Sequence, residues 1–234
     1  MAYINYLLLD AALMGEQLHQ AKALNPTFIS LLSNDYQFEN ELVAPYIFKF
    51  EPHSPFARWY MENGWGKGWG VMARSYASLE ELRVHFRKFI LVLNDDDQEI
   101  YFRFYNPRVL TIFLPTFTAY QLKDFFGPVD YFMIEEESGT DAQIIWMEGM
   151  NLYSNRIGKK EVEQRFRAEI YTQDPRSKKT SFIHEENTRS NASDQQKEKP
   201  RMSLVNYINT GDNKPQIIEP VSKKEKRNRF FFEE

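Results

Sequence analysis

The sequence contains no cysteine. Disulfides and thiolate metal sites are therefore excluded, and a reducing compartment is the natural setting. Histidine is scarce too: His19, His53, His85 and His184 are scattered, no two stand at metal-ligand spacing, and no HExxH pair occurs. There is no GxSxG elbow, no Walker loop and no kinase signature. Nor is there a long hydrophobic run. The apolar stretch that begins at Tyr3 ends after Leu9 at Asp10, and no basic segment precedes it. The first residues thus read as neither a signal peptide nor a membrane span, and a cytoplasmic location is expected.

What is present is a body rich enough to fold. The 234 residues are 42% hydrophobic and 15% aromatic, too apolar for a largely disordered chain and enough to bury a core. The net charge of -4 conceals an asymmetry: residues 1–154 carry 11 Lys+Arg against 20 Asp+Glu, residues 155–234 carry 18 against 13. Residues 1–150 read as one domain. Residues 151–234 read as a charged, mostly disordered extension, because SKKTSFIHEENTRSNASDQQKEKPRM cannot bury enough surface to offset its chain entropy. Within it a short helix is expected at 159–170, with apolar islands at SLVNYI, PQIIEPV and RFFFEE.

Local punctuation divides the body into alternating elements. YINYLLL is a strand candidate, followed by a helical pattern through Leu13, Leu18 and Ala21 that stops before Pro26. PYIFKF is a second strand. Ser54-Pro55 opens the helix SPFARWYMEN, and Gly64 stands at its end. VMARS follows as a strand. Ser78 with Glu81, and Thr118 with Gln121, form capping boxes for two further helices, and Asn106-Pro107 launches RVLTIFL, which Pro115 ends.

FILVLN and EIYFRFY flank DDDQ as a hairpin, with Ile100, Phe102 and Phe104 expected on one face and Tyr101, Arg103 and Tyr105 on the other. VDYFMIEE and AQIIWMEG flank a second hairpin. The fold class expected is α/β (α+β), a mixed sheet with β-hairpins and interleaved short helices.

Three features invite a chemical reading. Asp95-Asp96-Asp97 could bind a cation, but it occupies a hairpin turn where aspartates bond the local backbone. Glu135-Glu136-Glu137 reads as a solvated approach to a loop. GWGKGWG, residues 64–70, resembles a phosphate loop at first sight, yet its glycines do not give GxGxxG, no strand leads into it and no GK[ST] follows. The expectation is a helix-to-strand turn in which Gly66 and Gly68 let the backbone bend and Trp65 and Trp69 pack into the body, in preference to an exposed grip on a ligand. Arg74, Arg103 and Arg108 stand among apolar residues or at a helix start. For them, buried pairing with Asp10 or Asp130 competes with a partner-facing anion site.

The blocks YLLLD, FARWYMENGWGKGWGVMARS, SLEELRVHFRKFILV, FRFYNPRVLTIFLP and FFGPVDYF, in that order across about residues 3–135, resemble the effector-chaperone, or adaptor, family of bacterial type VI secretion systems, also catalogued as the domain of unknown function DUF4123. The resemblance implies a cytoplasmic, non-enzymatic protein that binds a toxic effector, often through the effector's N-terminal region, and helps load it onto the valine-glycine-repeat (VgrG) spike protein. It carries no catalytic, metal or cofactor residues. Its motif positions here, Trp65, Trp69, Arg74, Arg103, Tyr105, Pro107 and Arg108, serve either the fold or a partner surface. Many longer relatives carry a helical lobe where this chain has its basic extension. Two other classes stay open: a nucleic-acid binder acting through KKEKRNR, and an enzyme with an unrecognised site between GWGKGWG and the FRFYNPR strand.

Overall fold

The computed structural model describes residues 3–32, 41–93, 98–167 and 180–181. Asp95, Asp96 and Asp97 and the three apolar islands of the extension lie outside the described residues.

The chain begins with β1 (Ile4–Asp10), whose last residue caps α1 (Ala11–Met14) by accepting from the Ala12 amide. The helical pattern expected through Ala21 is interrupted: Gly15 ends α1, and α2 (Gln17–Leu24) starts afresh. After β2 (Phe28–Ser30) and a 3-10 turn at Glu41–Val43 come β3 (Pro45–Phe50) and α3 (Pro55–Asn63), the latter capped by the Ser54 hydroxyl. The GWGKGWG loop then leads into β4 (Gly70–Ser75). Both expected capping boxes form, on α4 (Leu79–Arg87) and, further on, α6 (Ala119–Phe126).

β5 (Leu91–Leu93) and β6 (Glu99–Tyr101) make the first hairpin as a separate two-stranded sheet. Its second strand is shorter than the alternation in EIYFRFY implies. Pairing stops at Tyr101 and the chain turns at Phe104–Tyr105, so Phe102, Phe104 and Tyr105 are all buried rather than divided between two faces. The physical reason is the Asn106 cap of α5 (Pro107–Phe113), which lies too close for the strand to continue.

β7 (Val129–Glu135) and β8 (Asp141–Glu148) form the second hairpin, and the sheet does not stop at Met150. β9 (Asn151–Gly158) extends the meander, α7 (Lys159–Arg167) occupies much of the segment expected to be helical, and β10 (Thr180–Ser181) pairs with β9.

Helices and strands are mixed as the sequence indicates, but strand directions are not: every pairing in the eight-stranded sheet, order β10-β9-β8-β7-β4-β1-β3-β2, is antiparallel. β3 and β4 do run the same way, joined through α3, but β1 sits between them and pairs with both. This is a split βαβ unit.

Register aligns Leu7 with Phe48 and with Met72, and Met72 with Met133, on one face of the sheet. α3 covers that face, stacking Phe56 on Phe48 and setting Tyr60 edge-on to Phe50. On the other face Phe132 meets Phe86 of α4 and Phe125 and Phe126 of α6, and Phe104 joins the same cluster. Covered on both sides, β1 is buried from Tyr6 to Asp10 and reads as an unbroken apolar run ending in a carboxylate. Each fully buried phenylalanine contributes roughly 1.5–3 kcal/mol, so this two-faced aromatic packing dominates the fold's stability.

His85 belongs to that core. Its Nε2 donates to the Phe125 carbonyl at 2.8 Å, and its ring lies where a side chain on Gly127 would have to go. Burial lowers its pKa, the Phe125 bond works the other way, and Lys88 lowers it further against Asp124. A histidine with a depressed folded-state pKa stabilises the fold above its ordinary pKa, and that contribution is lost as pH falls toward the depressed value. Asp10 and Glu135 have raised pKa values and act in the opposite sense at lower pH. The expected result is therefore differential: the urea midpoint falls between pH 7.5 and 5.5 more steeply in the native protein than in His85→Gln.

Candidate functional site

Three of the sequence blocks converge on one residue, Asp10. Asp10 is 1% exposed. Its Oδ1 caps α1, its Oδ2 pairs with Arg103, and its backbone amide donates to the Trp69 carbonyl at 2.8 Å. YLLLD, GWGKGWG and FRFYNPR, distant in sequence, thus meet at a single residue. Burial raises the Asp10 carboxyl pKa, only partly opposed by Arg103 and the amides. Arg103 is also disfavoured by burial, but Asp10 and Tyr105 more than offset this and hold the guanidinium charged. Both pKa values are thus raised, which disfavours the charged form of Asp10 and favours that of Arg103; Asp10 is the more deeply enclosed of the two, the Arg103 side chain being 27% exposed.

The remaining motif residues also have internal partners. Arg74 pairs with Asp130 at 3.6 Å and lies 4.5 Å from the Tyr3 ring centroid, so both buried pairings open to the arginines are used, each by a different one. Arg108 instead meets Glu137 at the surface, at 2.5 Å, where an ion pair adds little. Pro107 is buried at the start of α5, and Tyr105 is buried with its hydroxyl 3.5 Å from that of Tyr101. Trp65 and Trp69 are both half-buried. The indole nitrogen of Trp65 donates to the Gly139 carbonyl at 2.9 Å, and the Trp69 ring lies 5.9 Å from that of Trp59.

The loop is an anion cradle after all, filled from within. The amides of Gly66 and Gly68 donate to the two carboxylate oxygens of Glu135 at 2.6 and 2.5 Å. Both glycines have positive φ, +81 and +69, which aims their two amides into one concavity while the intervening Lys67 amide donates to the Gly64 carbonyl. Glu135 is therefore not a solvated loop residue: it is 7% exposed at the end of β7. Burial raises its pKa, and the two amides lower it by less. Of its neighbours in sequence, Glu136 pairs with Arg156 and Glu137 with Arg108, as surface carboxylates do. Gly64 ends α3 as expected, but with an ordinary φ of -104. Glycine is required there because a side chain would lie 2.7 Å from the Tyr60 ring and 2.9 Å from Trp69.

Sequence reasoning misses Glu135, Gly139 and Tyr60 as parts of this assembly. Glu135 and Gly139 lie 67 to 74 residues from the loop positions they touch, where no local spacing signals them, and Tyr60 is four residues before Gly64 within α3. Among the described residues, no group of three or more His, Cys, Asp or Glu could hold a metal ion. Likewise, no helix among them is long and apolar enough to cross a membrane.

No curated protein and no solved structure matches the chain. A family model does match it over residues 5–124, just over half of its length: the domain of unknown function DUF4123. That span holds Asp10, Arg103 and the whole glycine loop, while Glu135 and Gly139 lie beyond it. On this match the chain belongs to the DUF4123 family.

Proposed function

We propose that this protein is a non-enzymatic cytoplasmic adaptor of a bacterial type VI secretion system, which binds a toxic effector through the effector's N-terminal region and helps load it onto the VgrG spike. The observation that carries this reading is the use of the motif residues. Asp10, Arg103, Arg74 and the loop amides are engaged with one another or with Asp130 and Glu135, so the family blocks build a rigid frame. Between GWGKGWG and the FRFYNPR segment stands the enclosed Asp10, its backbone amide on Trp69 and its carboxylate on Arg103, which favours a binding module over a catalyst there. A frame of this kind serves a protein whose task is to present a surface.

Affinity-tagged full chain, co-expressed with a candidate effector toxin and a VgrG spike protein from the same bacterium, is expected to retain both in a pull-down. Retention of neither overturns the reading. A chain ending at residue 181 keeps every described element, and its comparison with the full chain shows whether the basic extension contributes to either contact.

A further inference from the structure

Behind the GWGKGWG loop, between α3 and the sheet, lies a cavity of about 10 Å³ lined by Leu7, Tyr60, Trp65, Met72, Met133 and Glu135. That is about the space of a single water site. Apart from the Trp65 indole nitrogen, which is committed to Gly139, the side chains lining it are apolar except for two, Glu135 and Tyr60. An ionised carboxylate offers about four lone-pair positions, and Glu135 uses two of its own on Gly66 and Gly68. Tyr60 is 2% exposed, and a buried tyrosine hydroxyl ordinarily finds a hydrogen-bond partner. The two groups sense each other, since the Tyr60 pKa is raised first by burial and then by the Glu135 charge. No direct hydrogen bond joins them.

We propose that this cavity is a binding site for one water molecule, which donates to Glu135 and accepts from the Tyr60 hydroxyl. The loop's anchorage is then a continuous chain from the Gly66 and Gly68 amides, through the carboxylate and the water, to α3. Two polar partners are enough to hold a water, whereas a divalent cation requires about six oxygen ligands and an organic ligand requires more room. Through this bridge Tyr60 becomes a positioning residue for the glycine loop: it fixes the far side of the carboxylate whose near side the loop grips. The bridge is independent of the adaptor reading.

A crystal structure of the full chain, at a resolution that shows ordered water, is expected to place a peak roughly 2.6–3.2 Å from both the Tyr60 hydroxyl and a Glu135 oxygen. Tyr60→Phe, which preserves the ring packing, is expected to remove that peak. It should also speed hydrogen exchange of the Gly66 and Gly68 amides several-fold, while β8 amides keep their rates. A site without the peak, a hydroxyl bonded directly to the carboxylate, or unchanged exchange at both glycines in the variant would each overturn the proposal.

Discussion

Arg103→Met is expected to lower stability by about 2–4 kcal/mol, read as a fall in the urea midpoint at neutral pH. The loss does not measure the attraction within the pair. It measures the cost of leaving the Asp10 carboxylate, 1% exposed, without its counter-ion. The upper end of the range for a broken buried pair is not reached because Arg103 retains some access to solvent.

Two controls separate this account from a simple packing defect. Adding Asp10→Asn to Arg103→Met should recover part of the loss, because asparagine still caps α1 and carries no stranded charge. The Arg103→Met deficit should also shrink on acidification. Asp10 already has a raised pKa, and without Arg103 its folded-state pKa rises further, so protonation relieves the folded state before the unfolded one. A deficit that stays constant with pH would point to lost packing of the arginine stem instead.

Much of this fold is legible where the determinants are local. Ser78 with Glu81, Thr118 with Gln121, Ser54 with Pro55 and Asn106 with Pro107 each satisfy backbone donors within one turn of helix, so residue type and spacing suffice to place them. β1 and β3 are legible as short apolar runs between breakers. β9 is not, because NLYSNRIG mixes polar and apolar residues at the margin of the sheet. The direction of the strands is also hidden, since antiparallel pairing here depends on β1 entering between β3 and β4, a long-range event with no local mark.

The site shows the same division. Asp10 and Asp130 stand out in apolar surroundings as partners for arginine, but which arginine takes which carboxylate is settled only by the sheet's register and the turn after β6. Glu135 was hidden by its company: three consecutive glutamates look like surface, and only the first faces inward. The spacing of GWGKGWG lacks a nucleotide-binding fingerprint, yet the underlying physics of the loop is that of a phosphate loop. Two amides of one short loop, those of Gly66 and Gly68, converge on a negative charge, and the charge belongs to the protein.

Gly70→Ala is the second large effect expected, about 3 kcal/mol, at the top of the usual range for overpacking. Gly70 opens β4 and pairs with Leu9 in the middle of the sheet. A β-carbon there would stand 2.1 Å from the Leu8 carbonyl oxygen and 2.9 Å from the Leu9 side chain. The nearer obstacle is backbone, held on both sides by strand pairing, so no rotamer change relieves it and β1 must separate from β4. Gly68→Ala provides the contrast. Its β-carbon would meet nothing within 4 Å, and only the positive φ of +69 opposes it, a cost of about 1–2 kcal/mol. The same chemical change, two residues apart, thus tests steric exclusion in one case and backbone conformation in the other. If Gly70→Ala unfolds in urea no earlier than Gly68→Ala, the close approach of β1 and β4 is not what requires glycine at the end of GWGKGWG.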